Sequence, residues 1–172
     1  MSGAKTHYWS YIRKPRRDYR LDPTRLFADA DVYQNAIKDL AEPFRDSGIN
    51  KVVALDALGF SLGGGIAYVL GAGLVHIRKE GKISWDVEAQ AFRDYSQTDK
   101  VFEIASDAVQ AGDKVLIVDD WSETGAQLKA ACQLVERLQG RVIGAALLHI
   151  DEPVWRDPAL TGYKLHHLFD YD

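Results

Sequence analysis

The chain has a single cysteine, Cys132, among its 172 residues. A disulfide framework and a multi-cysteine zinc site are thereby excluded, and a reducing, cytoplasmic setting is expected. No charge-free apolar run approaches the roughly 18 residues that a membrane span needs. The first twenty residues, MSGAKTHYWSYIRKPRRDYR, lack the apolar stretch of a secretory signal. Repeats and low-complexity tracts are absent. Strong net charge is absent too: the formal total is −4, which argues against a dedicated nucleic-acid binder, because phosphate affinity grows with clustered Lys and Arg. The charge is uneven, however. Residues 1–20 hold six Lys or Arg against one Asp, a net of +5 that leaves −9 on the remainder. Hydrophobic residues make up 47% of the chain. That length and composition suit one domain able to bury roughly 70% of its unfolded surface.

From about residue 29 the apolar residues become periodic. Tyr33, Ala36, Ile37, Leu40 and Phe44 mark one face of a helix, with Asp31 as its cap, Pro43 bending or ending it and Gly48 at its exit. KVVALD (51–56) reads as a buried strand, GGGIAYVLG (63–71) as a helix and GLVHI (73–77) as a second strand. The polar stretch Gly81 to Lys100 reads as a long loop or mobile arm. DKVLIVDD (113–120) is the clearest strand. Leu128, Ala131, Cys132, Val135 and Leu138 then share a helical face that Gly140 ends, and RVIGAALLHI (141–150) is another strand. Strands alternating with helices predict an α/β fold with a parallel sheet. Ligands of such sheets bind beyond the carboxyl ends of the strands, which singles out the turns after Asp56, Ile77 and Asp120.

The third of these turns carries the most chemistry. Four apolar β-residues, Val115 to Val118, run into Asp119 and Asp120, and a short loop then opens a helix. Side chains alternate along a strand, so two adjacent acids serving one site imply that the chain leaves the sheet there. Carboxylates at such a rim accept hydrogen bonds from sugar hydroxyls or hold a hydrated Mg²⁺. Glu123 to Gln127 present free backbone N–H groups at a helix N-terminus, where a phosphate monoester binds well. Thr124 adds a hydroxyl, and Gly125 permits close approach. Together they describe a site for a ribose 5-phosphate.

The segment Val115 to Gly125 resembles the phosphoribosyl pyrophosphate signature of type I phosphoribosyltransferases. Asp56-Ala57-Leu58-Gly59-Phe60 resembles the pyrophosphate loop of the adenine enzymes of that family, which reads acidic-Ser-Arg-Gly-Phe. Arg78-Lys79-Glu80-Gly81-Lys82 resembles their RKxGK run, and Leu165 to Asp172 their hydrophobic-then-acidic tail. The likeness covers roughly residues 50–172. It implies a twisted parallel sheet flanked by helices, divided as an N-terminal arm (1–28), a core (29–150) and a C-terminal tail (151–172), with a small hood built from the two ends, usually as a homodimer. It implies transfer of a 5-phosphoribosyl group from phosphoribosyl pyrophosphate to a purine, with Mg²⁺ and release of pyrophosphate. Adenine is the first choice of base, xanthine or hypoxanthine the next.

Carried onto this sequence, Asp119 and Asp120 hold the ribose diol and the water shell of the metal. Glu123, Thr124, Gly125, Ala126 and Gln127 bind the 5-phosphate. Asp56, Ala57, Leu58 and Gly59, with Arg78, Lys79 and Lys82, hold pyrophosphate. Asp94-Tyr95 matches the Glu-Tyr of a mobile loop that closes over the site. Three positions depart from the adenine pattern: Leu58 replaces Arg, Glu123 replaces Ala and Gln127 replaces Thr. A carboxylate just before Thr-Gly is the pattern of the hypoxanthine-guanine enzymes, where it lies near the base, so Glu123 is a candidate proton acceptor.

Two other readings compete. Gly59-Phe60-Ser61-Leu62-Gly63 has the form of a hydrolase nucleophile elbow, with Asp119 or Asp120 and His149, His166 or His167 completing a triad. Only 60 residues precede Ser61, too few for the strands such a sheet requires. Some relatives keep the phosphoribosyl pyrophosphate site as regulators that bind nucleic acid, which the basic arm and Leu58 permit. His166-His167 is rejected as a metal site because adjacent side chains diverge and no third ligand is in range. His76 is expected to be a core or rim histidine. Trp9, Tyr11, Tyr19 and Phe27 are candidates for stacking on a base or for packing the arm, and Trp121 either shapes the pocket or covers it.

Overall fold

A computed structural model of the chain describes residues 8–14, 21–93 and 98–170. Among the described residues seven strands form one sheet: β1 Lys51–Leu55, β2 Gly73–Lys79, β3 Val87–Arg93, β4 Asp99–Ala105, β5 Lys114–Ser122, β6 Arg141–Ile150 and β7 Lys164–His167. Their spatial order is β3-β4-β2-β1-β5-β6-β7. The helices are α1 Thr24–Ala28, α2 Ala30–Ala41, α3 Gly59–Leu70, α4 Ala126–Arg137 and α5 Glu152–Trp155, with a 3-10 turn at Glu42–Ser47.

The centre of the sheet follows from β5. Val115, Leu116, Ile117 and Val118 are all fully buried, which requires cover on both faces. Alternation splits them. Val115 and Ile117 join Val53 and Leu147 under the apolar stripe of α4, while Leu116 and Val118 join Val52 and Leu148 under α2 and α3. Helix α3 lies close on β1 because of Gly63, where a Cβ would stand 2.6 Å from that of Ala54. Described residues near both ends of the chain pack into the second layer. Tyr8, Ile12 and Leu26 are buried beside α2, and Trp9 meets Phe169 of the tail at 5.8 Å between ring centroids.

Several expectations are corrected. The sheet is mixed: β4 runs antiparallel to both β2 and β3. The supposed loop Gly81–Lys100 contains β3, which pairs with β4 from Val87↔Ala105 to Arg93↔Asp99. Its half-buried face carries Glu88, Gln90 and Phe92, while Ala89 and Ala91 are exposed, so polar residues on the inner face leave a weak strand signal. Strand β7 carries no apolar pattern to mark it, because Lys164, His166 and His167 make it mostly polar. Asp29, not Asp31, caps α2 by accepting the Asp31 and Val32 amides. Helix α3 starts at Gly59, four residues earlier than expected. Gln139 rather than Gly140 takes the left-handed turn after α4, with φ 66. The chain does not leave the sheet at Asp119, because the ten-residue β6 supplies partners as far as Trp121↔His149 and Ser122↔Ile150.

Candidate functional site

The three singled-out turns meet, because β2, β1 and β5 are neighbours and all point the same way. At their carboxyl ends lies a cavity of about 240 Å³. It is lined by Asp56, Ala57 and Leu58 after β1, Lys79 at the end of β2, Asp119 and Asp120 on β5, and Gln127 in the first turn of α4. Leu21, Asp22 and Pro23 close it from the N-terminal arm. Nothing in the local pattern of those three points to a site. Asp22 accepts from the backbone and hydroxyl of Thr24 and pairs with Arg13 at 3.6 Å, which is the signature of a helix start.

Asp119 is 5% exposed and accepts the Asp120 amide at 2.9 Å. Burial, with the Asp120 and Glu123 carboxylates close by, pushes its carboxyl well above the usual carboxylate range. Such a group is satisfied by a hydroxyl donor or a cation arriving in the cavity. Behind the acids, Trp121 to Gln127 line a continuous concavity. Gly125 is the N-cap of α4 with φ 74 and offers no side chain to its amides. A Cβ there would stand 2.9 Å from Leu160 Cδ1, so the turn is tight as well as left-handed. The Thr124 hydroxyl faces the Ala126 amide at 3.4 Å.

The basic residues are divided. Arg78 Nε donates to Asp56 at 3.1 Å, and Lys79 Nζ stands 3.8 Å from the same carboxylate. Lys79 lines the cavity. Arg78 and Lys82 instead line a separate opening of about 530 Å³ with Lys51, His76 and Asp107. Gly81, with φ 74, turns the chain away from the first cavity, and its amide donates to Glu103. The peptide Asp56–Ala57 is cis. Gly59 begins α3 against β5, where a Cβ would meet the Val118 carbonyl at 2.8 Å. Leu58 is 40% exposed. Asp94 and Tyr95 lie outside the described residues.

Other singled-out residues find plain places. Ser61 is the third residue of α3 rather than the tip of a strand-to-helix turn, and its carbonyl accepts Tyr33 OH. The histidines of the supposed triad are engaged elsewhere: His166 Nε2 faces the Asp39 carbonyl, and His149 Nδ1 the Phe169 carbonyl. His76 is an exposed rim residue with its ring 4.3 Å from that of Phe60. Cys132 is buried, which pushes its thiol up to about 12. The ground for excluding a metal at His167 fails, because His149 and Asp170 offer ligand atoms within 4.8 Å. The ring nitrogens there are nevertheless engaged. His167 Nδ1 accepts the Ile150 amide at 3.3 Å, which leaves the ring proton on Nε2, facing Asp170 at 3.2 Å.

Among the described residues no helix is long and apolar enough to cross a membrane. Residues 29–167 match the family of phosphoribosyl transferase domains. The chain is 44% identical over 155 residues to the adenine phosphoribosyltransferase of Jannaschia sp. (strain CCS1), covering 88% of this chain and 85% of that one. Its structure resembles the crystal structure of adenine phosphoribosyltransferase from Rhodothermus marinus, with TM-score 0.88 and 33% identity over 96% and 97% of the two chains. It also resembles the enzyme from Saccharomyces cerevisiae complexed with an imino-altritol bisphosphate and adenine, with TM-score 0.85 and 25% identity over 98% and 100%.

Proposed function

Since the chain belongs to the phosphoribosyl transferase domain family, we propose that it is a purine phosphoribosyltransferase that acts on adenine. It transfers the 5-phosphoribosyl group from phosphoribosyl pyrophosphate to a ring nitrogen of the base and releases pyrophosphate. The observation that carries this reading is the single run Asp119 to Gln127, in which two carboxylates, a left-handed glycine and an uncapped helix start line adjoining concavities. The names of the relatives support adenine as the base.

The chemistry assigns each side chain a task. The glycosidic C–O bond to pyrophosphate breaks as the C–N bond to the base forms, through a cation-like sugar carbon. Rate then depends on holding nucleophile and leaving group in line and on stabilising charge. Asp119 and Asp120 accept the sugar hydroxyls and, with that positive carbon above them, stabilise its charge. The amides and hydroxyl of Thr124 to Gln127 hold the 5-phosphate as an anchor that is the same in ground and transition states. Lys79, with Ala57 to Gly59, holds the departing pyrophosphate. Glu123, the carboxylate of the loop, takes the proton that the base loses. Asp56, Asp119 and Asp120 are hard oxygen donors around one cavity and fit Mg²⁺, which when bound neutralises pyrophosphate charge. The described parts of the arm and tail, residues 8–14, 21–28 and 151–170, contribute the hood over the base. A cytoplasmic homodimer completes the proposal, with Tyr68 and Trp85, 89% and 66% exposed, as apolar area for a second copy to cover.

Pyrophosphate release from phosphoribosyl pyrophosphate and Mg²⁺, measured with adenine, hypoxanthine, guanine and xanthine in turn, tests this. Release with adenine well above the other bases is expected. Release with an oxopurine alone would move the specificity to the branch that Glu123 resembles, and no release with any base, beside salt-sensitive nucleic-acid binding, would make the protein a regulator.

A further inference from the structure

The C-terminal tail is tied to the phosphoribosyl loop by one histidine. His149, near the end of β6, is 5% exposed. Its Nδ1 lies 2.7 Å from the Phe169 carbonyl, which only accepts, so Nδ1 carries a proton and donates it. Its Nε2 lies 3.1 Å from Asp151 Oδ1, just before α5. The ring is thus held at both edges, by the tail and by the turn after β6. One face of it packs on Trp121, the residue opposite in the sheet register, with centroids 4.8 Å apart.

Trp121 in turn follows Asp120 directly and opens the concavity that runs to Gln127. Its ring also meets Phe169 at 5.9 Å, and Phe169 meets Trp9 of the N-terminal arm at 5.8 Å. An aromatic layer therefore runs from the arm, through the tail, to the residue between the sugar carboxylates and the phosphate loop. Aromatic packing of this kind sets ring orientation, and the buried Nδ1 hydrogen bond to the tail, with the Asp151 carboxylate against the other edge, removes freedom that packing leaves.

We propose that His149 is a positioning residue for the nucleobase: it holds Phe169 and Trp121 in one layer, so that Trp121 presents a fixed aromatic wall beside the anomeric carbon. The inference rests on the functional reading above and adds to it a residue that touches no substrate. It predicts a split in the kinetics. The base should feel the loss of His149, whereas phosphoribosyl pyrophosphate, held by Asp119 to Gln127 and by Lys79, should not.

The test is steady-state kinetics of the full chain with the base it prefers. His149→Leu should raise KM for the base about tenfold and leave KM for phosphoribosyl pyrophosphate within about twofold. His149→Asn, whose amide places a donor where Nδ1 stands, should recover most of the loss. Trp121→Leu should show the same signature, and adding His149→Leu to it should cost little more, because the histidine acts through the tryptophan. Equal effects on both substrates, no rescue by Asn, or full additivity would overturn the positioning role. If His149→Leu does not fold, the Asn variant alone and in the Trp121→Leu background decides by the same criteria. Wild-type protein that turns over no base would remove the functional reading and this inference together. Active wild-type protein with an unchanged base KM in His149→Leu would remove the inference alone.

Discussion

The two walls of the cavity are built in different ways. The wall on the β5 side is one uninterrupted run, Asp119 to Gln127, in which carboxylates, hydroxyl and backbone amides follow one another along a strand end and a helix start. The opposite wall is assembled from the ends of β1 and β2, and its cations are already engaged: Arg78 and Lys79 both face Asp56. Lys79 is the one Lys or Arg lining the cavity among the described residues, against the four carboxylates of Asp22, Asp56, Asp119 and Asp120. On the proposed reading, a sugar phosphate would meet carboxylates, a hydroxyl and backbone amides on one side. On the other, an anionic leaving group would meet a surface that is short of positive charge, which the proposed Mg²⁺ would balance.

The largest expected effect breaks the first wall. Asp119→Asn with Asp120→Asn keeps shape and removes charge, so turnover should fall by about a thousandfold or more. The fold should not suffer. The Asp119 carboxyl is raised by burial and by its acidic neighbours. The stability that a raised carboxyl contributes is fully present below its unfolded value, near about 3.9, and is lost as pH rises through the folded value. Asp119→Asn should accordingly raise the melting temperature at pH 7 and leave it unchanged near pH 3. A variant that melts lower than wild type at neutral pH would make this pair structural and erase the contrast between the walls.

A smaller effect is expected at Gly125. Alanine there must adopt φ 74, which costs about 1–2 kcal/mol, and its Cβ must displace Leu160 Cδ1 from 2.9 Å. Gly112→Ala carries the same kind of backbone strain, at φ 85, with no atom within 4 Å of the new Cβ and no place near the site. Both variants should lose stability. Only Gly125→Ala should weaken phosphoribosyl pyrophosphate binding, by about tenfold in calorimetric Kd. Equal Kd values would detach the turn from phosphate binding.

The contrast between the walls also explains what could be read from the chain. Val115 to Gly125 was legible because every part of it is local: buried β-residues, adjacent acids, then Thr-Gly at a helix start. The division of Arg78, Lys79 and Lys82 was not. Three basic residues within five look equivalent in sequence, yet strand alternation sends the adjacent Arg78 and Lys79 to different openings, and Lys82 follows the turn at Gly81. Leu21 to Pro23 reach the cavity by tertiary packing that leaves no local mark. Strand β3 was hidden because its inner face holds Glu88 and Gln90 beside Phe92, and the contact of His149 with the tail spans twenty residues.

The smallest effect would sharpen the comparison rather than break it. Leu58 lines the cavity and is 40% exposed, and by the resemblance of Asp56 to Phe60 to the loop of the adenine enzymes it takes the position of their Arg. Its exposed apolar surface contributes little to the core, so Leu58→Arg should fold as wild type does. If the pyrophosphate wall is short of charge, the new guanidinium should lower KM for phosphoribosyl pyrophosphate several-fold, and the gain should shrink as salt rises, because the added attraction lies at a partly exposed surface. KM for the base and the melting temperature should not move. A KM for phosphoribosyl pyrophosphate that stays constant at low salt would mean that Lys79 and the bound metal already saturate the leaving group, and that the two walls, though unequal in charge, are equal in function.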